Sequence, residues 1–274
     1  MARDLIYRYD GSFDGLLCCV FESYDRREIP VAVLSPDDSQ TMLVPEREIV
    51  ADAEKAARVA ASIPKKIGAE APGFVRRAFL TCLPGKEREI LLFLRLGYRY
   101  GPQVMDLLTN ETVHTLRRAV EFLDREAHLL KGFIRFSEYN GALAAEIEPK
   151  NFVLPLLAPH FCARFPEERF LIYDRTHGAA LICQPHRAAI VPVESLELPN
   201  PDERESQARA LWRLYYRSVE VEGRHNPVCR RSHMPKRYWN CMTEFCESKE
   251  TGVKKSAPDY AERKESGLPF ICGS

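Results

Sequence analysis

The apolar positions of the N-terminal half recur every three or four residues, which is the spacing of amphipathic helices. The clearest run follows a capping residue at Thr109 or Asn110 and ends at Gly132, a residue type common at helix C-termini. Shorter runs predict further helices at residues 13–21, 46–63, 73–83 and 86–100. A strand at 4–10 precedes them, and the proline-containing segment 26–45 has a loop-like sequence. The N-terminal half is therefore predicted to be mostly helical.

The pattern changes after Gly132, where apolar and polar residues alternate as they do in strands. Asn140-Gly141 is the strongest short signal for a hairpin turn. Pairing across that turn would place Arg135 opposite Glu146, so we expect a cross-strand ion pair. A short helix at 154–165 and an antiparallel meander follow, with predicted strands at 169–174, 178–183 and 187–193.

A proline-rich break at 198–202 precedes a predicted helix at 205–219. The apolar side of this helix consists of Leu211, Trp212, Tyr215, Tyr216 and Val219. The segment 225–231 is predicted to be a polar loop, and a last helix opens at Met234. The fold class is therefore α+β: a mostly helical N-terminal half, a small antiparallel sheet in the middle, and C-terminal helices that pack back. We expect regions at 4–108 and 109–247, with a loose tail at 248–274.

Composition narrows the class of protein without naming a function. The chain has 274 residues, of which 45% are hydrophobic and 28% charged, as in ordinary globular proteins. It contains no apolar run of the roughly 18 residues that a membrane span needs, and its start lacks the apolar core of a signal peptide. We therefore expect a cytoplasmic protein with no membrane partner. The odd count of nine cysteines, without framework spacing, favours free thiols.

The net charge is zero, but the segment 204–237 carries nine Lys and Arg residues against three Glu residues, a local excess of six. Arg209, Arg213 and Arg217 form a stripe at helical spacing, and arginine suits bidentate phosphate contacts. The only two tryptophans, Trp212 and Trp239, lie in the same region, where aromatic rings can stack on unpaired bases. The alternative is that the aromatic residues belong to a core and the arginines to a solvated surface.

The middle of the chain holds a second group of polar candidates. His160 and Arg164 are four residues apart and share one helix face, while Asp174 and His177 bracket a predicted turn. Together with Arg135, Glu146 and Glu148 they could perform acid–base chemistry or bind a divalent metal, although no known catalytic spacing is present. The alternative is a salt-bridged polar layer over the sheet.

A third group combines possible metal ligands near the C-terminus. His225, Cys229, His233, Cys241 and Cys246 have suitable side chains, but their spacing matches no zinc ribbon or finger. Neither a dinucleotide-binding fingerprint nor a radical-SAM cysteine triplet is present. We therefore predict no metal and no cofactor, and leave metal binding by these five residues as an open alternative.

Several of these residues together resemble a bacterial family of DNA repair, or DNA metabolism, proteins. The resemblance covers roughly residues 4–244. It rests on these motifs: Tyr9-Asp10-Gly11-Ser12-Phe13-Asp14-Gly15, His128-x-x-Lys131-x-Phe133-x-Arg135-Phe136-x-Glu138, Ile147-Glu148-Pro149, His160-Phe161-x-x-Arg164-Phe165, a strand ending in Asp174, and Met234-Pro235-x-Arg237-Tyr238-Trp239.

The C-terminal portion of that family is a domain of unknown function that is also fused behind uracil-DNA-glycosylase-like domains. The stand-alone members are typically encoded beside a radical-SAM protein thought to modify or repair DNA. The resemblance therefore implies an accessory protein that binds DNA and works with a radical-SAM partner. On this view the nucleic-acid contacts would come from Arg135, Arg164, Arg209, Arg213, Arg217, Arg237, Tyr238 and Trp239. The alternative is an enzyme that acts on DNA or a modified base, with His160 and Asp174 as the acid–base pair.

Overall fold

The computed structural model describes residues 5–36, 38, 44–220 and 226–245. Its helices are α1 (Phe13–Asp25), α2 (Ala53–Lys66), α3 (Ala71–Phe79), α4 (Lys86–Tyr100), α5 (Glu111–Phe133), α6 (Leu154–Arg164), α7 (Glu203–Ser218) and α8 (Pro227–His233), with 3-10 helices at Gly101–Asp106 and Lys236–Cys241. Its strands are β1 (Ile6–Arg8), β2 (Ala32–Leu34), β3 (Glu46–Glu48), β4 (Ser137–Tyr139), β5 (Ala142–Ile147), β6 (Phe170–Asp174), β7 (Ala179–Gln184) and β8 (Arg187–Pro192). The α+β fold class is confirmed.

Side-chain caps fix where several helices begin. The Ser12 hydroxyl accepts the Gly15 amide at 2.9 Å and starts α1, as its position before the apolar run predicts. The Asn110 carboxamide accepts the Val113 amide, so Asn110 rather than Thr109 caps α5. The bounds of α4 match the predicted segment 86–100 because Gly85 and Gly101, both at positive φ, close its ends.

A three-stranded parallel sheet near the N-terminus corrects two sequence predictions. β1 lies between β2 and β3 and pairs in parallel with both. β2 lies inside the segment predicted as a loop. β3 occupies the start of the segment 46–63, which was predicted to be helical throughout, and α2 begins only after Asp52 caps it. The sequence of β3 is Glu46-Arg47-Glu48, which carries no apolar alternation to mark a strand.

The second sheet has five strands in the order β4-β5-β6-β7-β8. The Asn140-Gly141 hairpin is confirmed, with Tyr139 opposite Ala142, and so is the antiparallel meander of β6, β7 and β8. The sheet is mixed rather than purely antiparallel because β5 and β6 pair in parallel. Helix α6 makes the crossover that a parallel pair requires.

The predicted strand at 132–138 is too long, because α5 continues to Phe133 and β4 begins only at Ser137. Gly132 lies inside the helix and therefore does not end it. The predicted polar loop at 225–231 is also wrong from residue 227 onward: Asn226 accepts the Cys229 amide and caps α8. The predicted last helix is the 3-10 helix Lys236–Cys241. Residue 225 and the tail from 246 lie outside the described residues.

Helix α5 joins two hydrophobic cores. Val113, Leu116 and Val120 pack into the core of the N-terminal helices. Leu123, Ala127 and Leu130 continue the same face into the core formed with α6 and the five-stranded sheet. The predicted apolar face of α5 is therefore confirmed, with all six side chains buried. Of the helices in the described residues, none is long and apolar enough to cross a membrane.

Candidate functional site

A polar cleft of about 300 Å³ lies against the five-stranded sheet, between α7 and the C-terminal end of the 3-10 helix Lys236–Cys241. We call it the arginine cleft because Arg135, Arg209 and Arg213 line it. It is completed by Ser137, Tyr139, Ala144, Ala145, Glu146, Leu198, Pro199, Asn240, Cys241 and Thr243. Two groups that are far apart in the sequence, the hairpin residues and the α7 stripe, therefore meet in one place.

The alternation of the hairpin strands explains which side chains reach this cleft. Ser137 pairs with Ala144 and Tyr139 with Ala142, so these side chains share one face of the sheet with Glu146. Ile147 belongs to the other face, which is buried against α5 and α6. The face that carries the cleft is thus the one that those helices leave open.

Arg135 is held in place by several groups at the end of α5. Its Nη1 donates to the Gly132 carbonyl at 2.7 Å, and its Nη2 donates to Glu244 at 2.8 Å. The Trp212 ring lies 5.6 Å from the guanidinium and donates its own N–H to the same carboxylate. The predicted pair of Arg135 with Glu146 does not form, because β4 begins two residues beyond Arg135 and Glu244 takes the guanidinium instead.

Arg209 enters the cleft from α7 in a fixed orientation. Its Nε donates to Glu205 one turn earlier at 2.9 Å, and its Nη2 donates to the Ser137 hydroxyl at 2.6 Å. Burial by itself would lower the pKa of Arg209, but the hydrogen bond to Glu205 and the neighbouring Tyr139 raise it above its ordinary value. The guanidinium therefore stays charged.

Arg213 lines the same cleft one turn further along α7. In the part of the chain that the structure describes, its guanidinium makes neither an ion pair nor a hydrogen bond. The Nε of Arg135 is likewise buried without a hydrogen-bond acceptor. Glu146 is the carboxylate of the cleft lining, and it lies 4.0 Å from Arg175. The cleft thus presents three guanidinium groups, and part of their donor capacity is unused.

The next arginine of the stripe, Arg217, is exposed and does not line the cleft. The apolar side of α7 is not a core face either, which corrects the predicted packing. Trp212 is 39% exposed and Leu211 is 67% exposed, and no residue of α7 is buried.

The predicted acid–base pair is not brought together. His160 lies on α6, where its imidazole packs against the Phe161 ring, and Arg164 is exposed one turn later. Burial lowers the pKa of His160, and the positive charges of Lys131 and Arg164 lower it further. His160 therefore favours its neutral form, on a helix that packs against the sheet face opposite the cleft.

Asp174 is fully buried at the end of β6, where its carboxylate is used within its own turn. It accepts the amides of Thr176 and His177, and the His177 Nδ1 lies 2.7 Å away. These contacts form the Asx-type turn that an aspartate at a strand end commonly makes. No hydrogen bond joins Asp174 to His160 among the described residues.

Arg237 and Tyr238 are engaged by Glu126, a buried carboxylate on α5. The Tyr238 hydroxyl donates to Glu126 at 3.2 Å, and the Arg237 guanidinium lies 3.5 Å from the same carboxylate and against the Tyr238 hydroxyl. Tyr238 is 1% exposed, and burial raises its pKa to about 12. Its ring is therefore part of the core and has no free face for a base.

Trp239 is oriented by its neighbours in the C-terminal segment. Its indole N–H donates to the Met234 carbonyl at 2.9 Å, and its ring stacks on Phe245 with centroids 4.5 Å apart. Arg230 and Lys236 lie over the same ring at 5.8 and 5.7 Å. The partly exposed ring is thus already stacked on one side and flanked by two cations.

No cluster of three or more metal-ligand side chains occurs among the described residues. Cys229 and His233 lie together on α8, with the sulfur 3.6 Å from Nδ1. Cys241 lines the arginine cleft. The remaining two candidates, His225 and Cys246, lie outside the described residues.

Several residues of the cleft were not predicted from the sequence. Ser137, Tyr139, Asn240 and Thr243 were not candidates, and neither was Glu244, which orients Arg135. The hairpin register places Ser137 and Tyr139 on the same face as Glu146, so that signal was present in the sequence. Asn240 and Thr243 carried no such signal, because they reach the cleft from about 100 residues further along the chain.

The comparisons with known proteins identify one family. Residues 84–244, more than half of the chain, match the family described as a domain of unknown function, DUF4130. This match includes every residue that lines the arginine cleft. No curated protein and no solved structure gives a significant match.

Proposed function

The chain belongs to the DUF4130 family, and we propose that within it the arginine cleft binds the phosphate backbone of nucleic acid, so that the protein serves as a DNA-binding accessory factor in repair or modification. The observation that carries this proposal is the convergence of three guanidinium groups on one cleft, with Arg213 unpaired among the described residues. Planar guanidinium groups match phosphate oxygens in a bidentate manner.

The way the arginines are held supports the same proposal. Glu205 and Glu244 orient Arg209 and Arg135 from behind, so two of the three groups are fixed before any ligand arrives. A site that is already oriented loses less side-chain entropy on binding.

The resemblance to DNA repair proteins adds a partner to the proposal. Members of that family are typically encoded beside a radical-SAM protein, and we propose that the two proteins act together on DNA. Co-purification of the two proteins, with and without DNA, tests this step separately. Enzymatic acid–base chemistry by His160 and Asp174 is not part of the proposal, because the two side chains have separate surroundings.

Fluorescence anisotropy with labelled single-stranded and double-stranded DNA tests the proposed phosphate contacts. We expect binding at low salt that weakens as salt rises, because phosphate contacts release counterions. Arg213→Gln should weaken binding about tenfold, as expected for one charge-assisted contact. It should also reduce the slope of log K against log salt by about 0.9 on duplex DNA or about 0.7 on a single strand.

Arg204→Gln is the matched control, since Arg204 is an exposed arginine on α7 outside the cleft. It should leave the affinity and the salt slope nearly unchanged. The proposal fails if the unmodified protein does not bind DNA at low salt. It also fails if Arg213→Gln binds as tightly as Arg204→Gln.

A further inference from the structure

A second concavity, of about 680 Å³, lies between α1, α2 and α4, far along the sequence from the arginine cleft. We call it the aromatic groove. Each of the three helices contributes residues spaced three or four apart, which therefore share one helix face. Val20 and Val59 are buried and supply apolar lining at its base. Its residues belong to none of the three groups of candidates predicted from the sequence.

Three aromatic rings line this groove: Phe21, Tyr24 and Tyr98. Tyr24 and Tyr98 meet edge to face with centroids 5.6 Å apart, and Tyr24 is 42% exposed. The Ser62 hydroxyl donates to the Val59 carbonyl, so the Tyr98 hydroxyl donates to Ser62 at 2.6 Å. The rings are thus fixed in place, and one of them keeps a large part of its surface open to a ligand.

Four cations surround these rings: Arg58, Lys66, Arg95 and Arg99. Arg95 lies 4.4 Å from the Tyr24 centroid, where the Ser23 carbonyl and hydroxyl hold its guanidinium. Arg58 and Lys66 lie 5.2 and 5.8 Å from the rings of Phe21 and Tyr98. None of the four makes an ion pair within the described residues.

The neighbouring cations show a different arrangement. Lys55 and Arg26 share the Glu22 carboxylate, at 2.7 and 2.8 Å, so each of them has an ion-pair partner. The groove itself has one carboxylate in its lining, Asp25, against its four cations. Its excess of three positive charges is therefore concentrated beside the exposed aromatic surface.

We propose that the aromatic groove binds a nucleotide, with its phosphate held by Arg58 and Lys66 and its base stacked on Tyr24. An inorganic anion would leave the rings uncovered, and an apolar ligand would cover the cations without neutralising them. A nucleotide satisfies both parts, because bases stack on aromatic and guanidinium planes while the phosphate takes the positive charge. The ligand is either a free mononucleotide or one nucleotide of a single strand.

This inference goes beyond the function proposed for the arginine cleft, because the two sites share no residue. The α1 and α2 residues of the groove also precede the segment that matches the family. The two tryptophans of the chain separate the sites experimentally. Trp212 lies against Arg135 of the cleft, whereas the groove lining contains no tryptophan. A ligand in the cleft should therefore change tryptophan emission, and a ligand in the groove should not.

The test is an anisotropy titration of the full chain with a labelled short oligo(dT), followed by competition with thymidine monophosphate. The double variant Arg58→Gln, Lys66→Gln should lower the affinity for the oligonucleotide at least about tenfold. Its salt slope should fall by about 0.7, since the two cations hold one phosphate and each single-strand phosphate contact contributes about 0.7. Tyr24→Ala should weaken binding about tenfold while leaving the salt slope unchanged, because stacking releases no counterions.

Lys65→Gln is the control, because Lys65 is the exposed neighbour of Lys66 on α2 and does not line the groove. If thymidine monophosphate displaces the oligonucleotide, the groove is a mononucleotide site. If the oligonucleotide binds and thymidine monophosphate does not displace it, the groove is a single-strand site. The inference is overturned if neither probe binds, or if the groove variants bind as the Lys65→Gln protein does. If instead the arginine cleft does not bind nucleic acid, the Arg213→Gln protein should bind the oligonucleotide normally and tryptophan emission should not change.

Discussion

Helices α5 and α7 have similar amphipathic sequences but opposite environments. The apolar face of α5 is buried in both hydrophobic cores, from Val113 to Leu130. The apolar face of α7 is exposed, with Leu211 67% and Tyr215 57% accessible. Periodicity therefore predicts a helix and its apolar side, whereas neighbouring elements decide whether that side becomes core.

The same contrast holds for the charged residues of the two helices. On α5, Glu126 is 1% exposed; it accepts hydrogen bonds from Asn151, the Lys150 amide and Tyr238, and it forms an ion pair with Arg237. On α7, the arginines point into or beside an open cleft, and Glu205 serves to orient one of them. Charge on α5 therefore stabilises the fold, while charge on α7 remains available for a ligand.

The largest expected difference between the helices is in core packing. Leu123→Ala on α5 should lower the free energy of unfolding by about 3 kcal/mol, because it leaves a cavity where two elements meet. Leu211→Ala on α7 should change it by less than about 0.5 kcal/mol. Chemical denaturation with an unchanged m-value checks both. Equal losses would mean that the α7 face is covered in solution.

The next difference concerns the buried carboxylate. Glu126→Gln should cost about 3 kcal/mol of stability, since it removes the charge that balances Arg237 and places amide hydrogens against existing donors. Glu205→Gln on α7 should cost about 1 kcal/mol, because its partner Arg209 can reach solvent. Thermal and chemical unfolding of both variants measure the difference. A loss below about 1 kcal/mol for Glu126→Gln would contradict a structural role for this carboxylate.

The smallest expected effect concerns His160 on α6, whose pKa is influenced by Lys131 in the last turn of α5. Burial, then Lys131 and Arg164, lower the pKa of His160 below its ordinary value of 6.5. Between the lowered and the ordinary pKa the unfolded chain binds more protons than the folded one. The stability from His160 is therefore complete above pH 6.5 and is lost as the pH falls below it.

Lys131→Gln should move the pKa of His160 back toward its ordinary value, because it removes one of the two repelling charges. An NMR titration of the His160 ring protons measures the change directly. Arg213→Gln on α7 is the control and should leave this titration unchanged. A His160 pKa at or above 6.5 in the unmodified protein would refute the assignment of these causes.

The sequence by itself determined the helix caps, the hairpin turn and the apolar side of α5, because each depends on residues that are close together in the chain. Ser12 and Asn110 cap their helices through bonds to an amide three residues ahead, and Asn140-Gly141 makes its hairpin from adjacent residues. The position of the apolar face on α5 also followed from its spacing. These features need no knowledge of distant parts of the chain, since each bond or face involves residues within a few turns.

Tertiary structure decided the partners of the charged residues and the exposure of α7. Arg135 binds Glu244, 109 residues away, instead of Glu146, which the hairpin pattern predicted as its partner. The charged strand β3 became a strand because β1 supplied its backbone partners, not because its side chains alternate. The arginine cleft and the aromatic groove both bring together residues from separate elements. The physical reason is that side-chain contacts form through space, so spacing along one helix cannot specify what faces it.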